Sequence, residues 1–165
     1  MAKYLKLFMV ALFATMTFTL TSCGDDEDEP SSGNQIEING KKWTVKNDYF
    51  VPMGFWMESA DVMKAAFWNI FIPDDNSQTY MFCCENCDFP KKGDDFSKIG
   101  KLRLSLTNSS SDTYDYVYES GSAKIIDTNQ SKERMTIQYD NLKMIKGNQS
   151  YVFNGTVTIP WNYDE

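Results

Sequence analysis

Three cysteines within five residues, Cys83-Cys84-Glu85-Asn86-Cys87, make the densest group of chemically capable side chains in the sequence. The Cys84-x-x-Cys87 spacing is that of a thiol-disulfide site, where a reactive thiolate needs a helix N-terminus or a neighbouring cation to lower its pKa. Glu85 and Asp88 place negative charge beside these sulfurs instead, which favours the neutral thiol. The cluster therefore reads first as a structural bridge, either Cys84 to Cys87 or Cys83 to Cys87, since a vicinal Cys83 to Cys84 bridge is sterically unusual. A metal needs a fourth ligand, which Glu85 or Asp88 offers, but no second cluster exists to complete a tetrahedral site, so no metal is expected. Redox catalysis through Cys84 and Cys87 is the competing chemistry.

The sequence contains no histidine. That removes Ser-His-Asp and Cys-His nucleophile systems, His-ligated metals, and the one side chain whose ordinary pKa lies near neutrality. Paired carboxylates occur at Asp74-Asp75 and Asp94-Asp95, yet Asp74-x-Asn76-x-Gln78 lacks the glycine and terminal glutamate of a calcium-binding EF-hand loop, and both pairs read as solvated loop acids. No catalytic residue and no cofactor follow. What the chain does have is aromatic side chains, with 11 Phe, 9 Tyr and 4 Trp. The Phe55-Trp56 pair and the alternating Tyr114, Tyr116 and Tyr118 are candidates for a ligand-facing platform; the competing reading packs one face of each strand into the core.

The N-terminus has a separate logic. Lys3 and Lys6 precede an apolar run from Leu7 to Leu20, the layout of a secretory signal peptide. A membrane-spanning helix needs about 20 apolar residues, and this run is interrupted by Thr15, Thr17 and Thr19. It ends in Leu20-Thr21-Ser22-Cys23, which resembles the lipobox of bacterial lipoproteins. The resemblance implies that Cys23 is diacylated at sulfur and becomes the first residue after cleavage. At about 0.8 kcal/mol per buried CH₂, more than one acyl chain gives stable anchoring. The run Gly24-Asp25-Asp26-Glu27-Asp28-Glu29 is similar to the acidic export signal of surface lipoproteins of Bacteroidetes, and implies an outer-membrane protein exposed on the cell surface.

Residues 1–22 are thus expected to be a leader, 23–35 a lipidated cysteine and acidic flexible tether, and 36–165 a single β domain. Without Lys3 and Lys6, the 16 Lys and Arg fall to 14 against 23 Asp and Glu, a net charge of −9, with five of the acids in the tether. No basic stripe is left to track phosphates, so nucleic acid is not an expected partner.

Within the domain, Ile36-Glu37-Ile38, then Asn39-Gly40, then Trp43-Thr44-Val45 predicts a β-hairpin, because Asn-Gly supplies the positive φ values of a type I′ turn. Tyr49 to Met57, with Pro52 and Gly54, predicts an edge or bulged strand; a short helix capped by Ser59 and using Val62, Met63 and Ala66 is a minority alternative. Ala65 to Ile72, apolar almost throughout, predicts a central strand covered on both faces. Strands are also expected at Thr79 to Cys84 and, from strict alternation, at Leu102, Leu104 and Leu106. Asp88 to Lys98 reads as a loop. Beyond Gly121, taken as a break, come a short strand at Ala123 to Ile126, one through Met135, Ile137 and Tyr139 continuing to Ile145, and the longest alternation, Tyr151 to Trp161. About nine or ten short strands without a long amphipathic helix predict an all-β fold, an antiparallel β-sandwich in first place and a lipocalin-like β-barrel in second.

The expectation for function is a cell-surface binding or interaction module for a glycan, a host component or an envelope partner, and not an enzyme. An extracytoplasmic thiol-disulfide enzyme using Cys84 and Cys87 is one alternative, and a structural envelope or fimbria-like subunit is another.

Overall fold

The computed structural model describes residues 34–45, 54–59, 63–72, 75, 78–106 and 115–163. The leader, Cys23, the acidic tether, Tyr49 to Met53 and Tyr114 lie outside them. The strands are β1 (Gln35–Ile38), β2 (Lys41–Thr44), β3 (Gly54–Ser59), β4 (Met63–Ile72), β5 (Gln78–Glu85), β6 (Lys101–Leu106), β7 (Tyr116–Asn129), β8 (Arg134–Lys146) and β9 (Gln149–Asn162). A one-turn helix, α1 (Phe96–Ile99), precedes β6, and a 3-10 turn at Gln130–Lys132 joins β7 to β8. The all-β expectation holds.

All nine strands belong to one sheet in the order β2-β1-β9-β3-β4-β5-β6-β7-β8, and β8 also pairs with β9, so seven strands close into a ring and the β1-β2 hairpin extends from β9. The ring is unevenly sewn. Antiparallel β3 to β6 make one wall and the long β7, β8 and β9 make the other. The walls meet at two short seams: the parallel pairs Gly54 with Trp161 and Phe55 with Asn162, and the antiparallel pairs Arg103 with Val117 and Leu104 with Tyr116.

Period-two alternation fills the space between the walls. On β4, Ala66, Trp68, Ile70 and Ile72 are fully buried inside, while Phe67, Asn69 and Phe71 are half-buried outside. On β9, Phe153, Val157, Ile159 and Trp161 point inward, matching the longest alternation in the sequence. The rings meet across the ring's interior: Phe82 of β5 lies 5.3 Å from Phe153 of β9 and 5.8 Å from Tyr139 of β8. The Trp68 indole donates a buried hydrogen bond of 2.8 Å to the Tyr139 hydroxyl.

The expected hairpin forms, with Asn39 at φ 51° and Gly40 at φ 81°. Its turn is pinned to β9 by Asn39, whose side-chain oxygen accepts from the Val152 amide at 2.8 Å. The central strand also forms, between β3 and β5, but it is not covered on both faces: its inner side chains are fully buried and Phe67, Asn69 and Phe71 on the outer face are only half-buried. Three further expectations need correction. Gly121 does not end a strand: β7 runs through it, and its φ of 87° forms a bulge facing a second bulge at Asn141, φ 47°. A Cβ on Gly121 would lie 2.1 Å from the Asn141 carbonyl oxygen, so the two bulges fit only with glycine there. The helix capped by Ser59 is not formed, since Ser59 closes β3 and Met63 opens β4, paired to each other. The loop from Asp88 to Lys98 ends in α1.

Helix α1 closes one end of the ring. Its cap, Asp95, accepts from the Ser97 amide at 3.0 Å, the Ser97 hydroxyl at 2.7 Å and the Ala123 amide of β7 at 3.1 Å. Burial by itself would raise the Asp95 pKa, but the hydrogen bonds from Ser97 and Ala123 outweigh it and hold the carboxyl below its ordinary value. The cap thereby places Phe96, fully buried, against Trp68 at 4.1 Å.

Replacing Tyr139 by Phe leaves the Trp68 N–H buried without its acceptor, which costs about 1–3 kcal/mol. A urea midpoint lowered accordingly is expected, whereas Tyr163→Phe, which loses an exposed bond to the Arg134 carbonyl, is expected to change stability by less than about 0.5 kcal/mol.

Candidate functional site

The outer face of the β3 to β6 wall carries a continuous row of side chains set by strand register. Phe55 pairs with Phe67, Phe67 with Cys83, Cys83 with Arg103, and Arg103 with Val117 of β7 across the second seam. Such register partners on one face have Cβ atoms about 5 Å apart, so the row is contiguous. Phe55 and Phe67 stack with centroids 5.2 Å apart. Beside the row, Met57 pairs with Ala65 and Ala65 with Glu85. The Glu85 carboxylate reaches the Arg103 guanidinium at 3.0 Å. The exposed large hydrophobic residues, Phe55 at 39%, Met57 at 40% and Val117 at 39%, all project from this face. It combines apolar and aromatic surface with one ion pair, the chemistry of a contact surface.

The sequence candidates divide between faces. Phe55 is on the outer row, but its neighbour Trp56 turns the other way, packing against the core and Phe89, with its indole donating to the Cys87 carbonyl at 3.1 Å. The pair therefore forms no shared platform, because adjacent strand residues point to opposite faces. Tyr116 and Tyr118 also lie on the inner side. The Tyr116 hydroxyl donates to Gln149 Oε1 at 2.8 Å and that of Tyr118 to the Gly121 carbonyl at 3.0 Å. Sequence reasoning missed Phe67, Met57, Arg103 and Val117; alternation alone could have put Met57 with Phe55, but Phe67 and Arg103 join only through cross-strand register.

Tyr116 belongs to a tyrosine group at the ring's other end. Tyr151 stands between Tyr80, at 5.6 Å, and Tyr116, at 5.3 Å, in edge-on packing. The Tyr80 hydroxyl donates to the Asp75 carboxylate at 3.1 Å. Burial, then the Asp75 charge, pushes the Tyr80 pKa well above its ordinary value, and burial does the same at Tyr139.

All three cysteines of the 83–87 cluster are buried free thiols. Cys83 sits outward in the row, while Cys84 and Cys87 join the core. The Cys84 thiol donates to the Phe96 carbonyl at 3.4 Å and the Cys87 thiol to the Cys84 carbonyl at 3.1 Å. Interaction between the two neighbouring thiols, ahead of burial, raises the pKa of Cys84 and lowers that of Cys87. Burial, then the charge on Glu85, pushes Cys83 from 9.0 to about 12. Among the described residues no three Cys, Asp or Glu side chains converge as a metal-ligand set.

Because the folded Cys83, Tyr80 and Tyr139 hold their protons above the pH at which the unfolded groups release them, their contribution to stability is intact below about pH 9 and is lost as pH rises toward 12. The urea midpoint is expected to fall between about pH 8.5 and about pH 11, and a constant midpoint would contradict these burial effects. No protein family, curated protein or solved structure matches this chain.

Proposed function

We propose that the chain is a cell-surface lipoprotein, anchored in the outer membrane through Cys23, whose β domain is a binding module. The observation that carries the binding reading is the outer row from Phe55 through Phe67, Cys83 and Arg103 to Val117, with Met57 beside it. Aromatic, Met and Arg side chains are the types enriched where proteins meet, so an envelope or host protein is the partner class favoured over a glycan. The lipobox resemblance at Leu20 to Cys23 and the acids that follow carry the location. Burial of Cys84 and Cys87 weighs against the thiol-disulfide enzyme, since exchange needs an accessible sulfur for in-line attack.

The finer architecture goes with this reading. We take the domain as a barrel flattened to sandwich thickness: two walls joined by short seams and filled between, so that recognition falls to the outside.

Two measurements test the proposal. Metabolic labelling with radioactive palmitate is expected to mark the native chain and not Cys23→Ala, which should also leave the membrane fraction. Cross-linked capture from intact cells is expected to recover a partner whose binding weakens by about tenfold or more in a Phe55→Ser, Met57→Ser double variant with an unchanged thermal midpoint. Equal capture by the double variant would overturn the outer row as the contact surface, and recovery of no partner would overturn the binding reading.

A further inference from the structure

The three cysteines of the 83–87 cluster are not equivalent, and β5 itself sorts them. Successive strand residues point to opposite faces. Cys83 faces outward between Phe67 and Arg103. Cys84 faces inward, paired with Ala66 and Leu102, both of the buried core. A bridge between them would have to join side chains on opposite sides of the sheet.

Cys87 returns to the inner side. After Glu85 the chain turns at Asn86, whose φ is 57°, and the Cys87 amide then donates to the Lys64 carbonyl of β4 at 3.3 Å. This fold-back puts the Cys87 thiol on the Cys84 carbonyl at 3.1 Å. Gly100 marks the place where the two side chains converge. A Cβ built there would lie 2.7 Å from Cys84 Sγ and 3.1 Å from the Cys87 Cβ, so one point on the β6 side touches both. Cys83 lies on the opposite face of β5 from Cys84, in register with Phe67 and Arg103.

We infer that Cys84 and Cys87 are a disulfide-forming pair that staples the end of β5 to the closed end of the ring, and that Cys83 stays a thiol. The oxidant is a disulfide donor of the oxidised-glutathione class. The Cys87 sulfur, as thiolate, attacks one donor sulfur and releases the first donor thiol, leaving a mixed disulfide on Cys87. The Cys84 sulfur gives up its proton and attacks the Cys87 sulfur, forming the internal bond and releasing the second donor thiol. Two protein thiols are oxidised, one donor disulfide is reduced to two thiols, and the chain loses two hydrogens. Both sulfurs are shut from solvent in the folded domain, so the bond forms as the chain folds, before α1 and Gly100 close over it.

The pairing is a property of the fold and does not depend on where the protein resides. The test uses the purified full chain, refolded with oxidised and reduced glutathione, then denatured, alkylated without reduction and cleaved after Glu85. Within the 83–87 cluster, alkylation on Cys83 alone is expected, with the Cys84 and Cys87 fragments joined until reductant is added. The same linkage is expected in Cys83→Ser, which leaves the inner pair intact. Alkylation of all three cysteines, or a bridge that includes Cys83, would overturn the inference.

Discussion

The hydrogen bond from the Trp68 indole to the Tyr139 hydroxyl crosses the interior from one wall to the other, and it sets the thickness of the domain. Burying the Trp68 N–H without this acceptor would cost about 1–3 kcal/mol. With that distance fixed, the neighbouring rings have one way to pack: Phe82 stacks on Trp68 at 5.2 Å and meets Phe153 edge-on, and Phe96 covers Trp68 from the closed end. Rings from opposite walls are in direct contact inside the seven-stranded ring. A barrel of this strand number with smaller side chains would keep a lumen; this one spends the space on aromatic packing.

With the interior filled, the recognition proposed above falls to the outer face. On the inner face Tyr80 and Tyr116 are bonded to Asp75 and Gln149 and the Cys84 and Cys87 thiols are held against the Phe96 and Cys84 carbonyls, while the Trp161 indole N–H is buried without a partner among the described residues. Among the described residues, the exposed large hydrophobic side chains Phe55, Met57 and Val117 lie along the outer row of β3 to β6 and its seam with β7. The row is held in register by the same ladders that build the core, so the contact surface and the hydrophobic core share one scaffold. Such sharing suits binding, which needs rigid complementarity, better than chemistry, which needs accessible and perturbed groups.

Much of this was legible in the sequence, for physical reasons that can be named. Asn39-Gly40 specifies its own turn; the Leu102, Leu104, Leu106 alternation and the Tyr151 to Trp161 alternation report a single buried face. Ala65 to Ile72 reads as central because an apolar run of that length has no other place to go. What could not be read is whatever depends on a partner strand. Gly121 looks like a stop until Asn141 of β8 is placed opposite it. Helix α1 is too short to show periodicity, and its signal is the single cap Asp95 ahead of Ser97. The contact row depends on register between strands far apart in sequence, so Phe67 and Arg103 gave no sign. Phe55 and Trp56 are the instructive pair: adjacency suggested a platform, whereas the two-residue period already separates them.

The tightly packed interior can be tested by asking whether it admits anything. A fluorescent fatty acid that brightens in apolar cavities, titrated into the purified chain, would report uptake between the walls through quenching of the interior indoles Trp68 and Trp161. With rings of both walls already in contact, no saturable quenching is expected. Saturable uptake near one molecule per chain, with loss of the buried tryptophan emission, would contradict the filled core and return recognition to the inside of the ring.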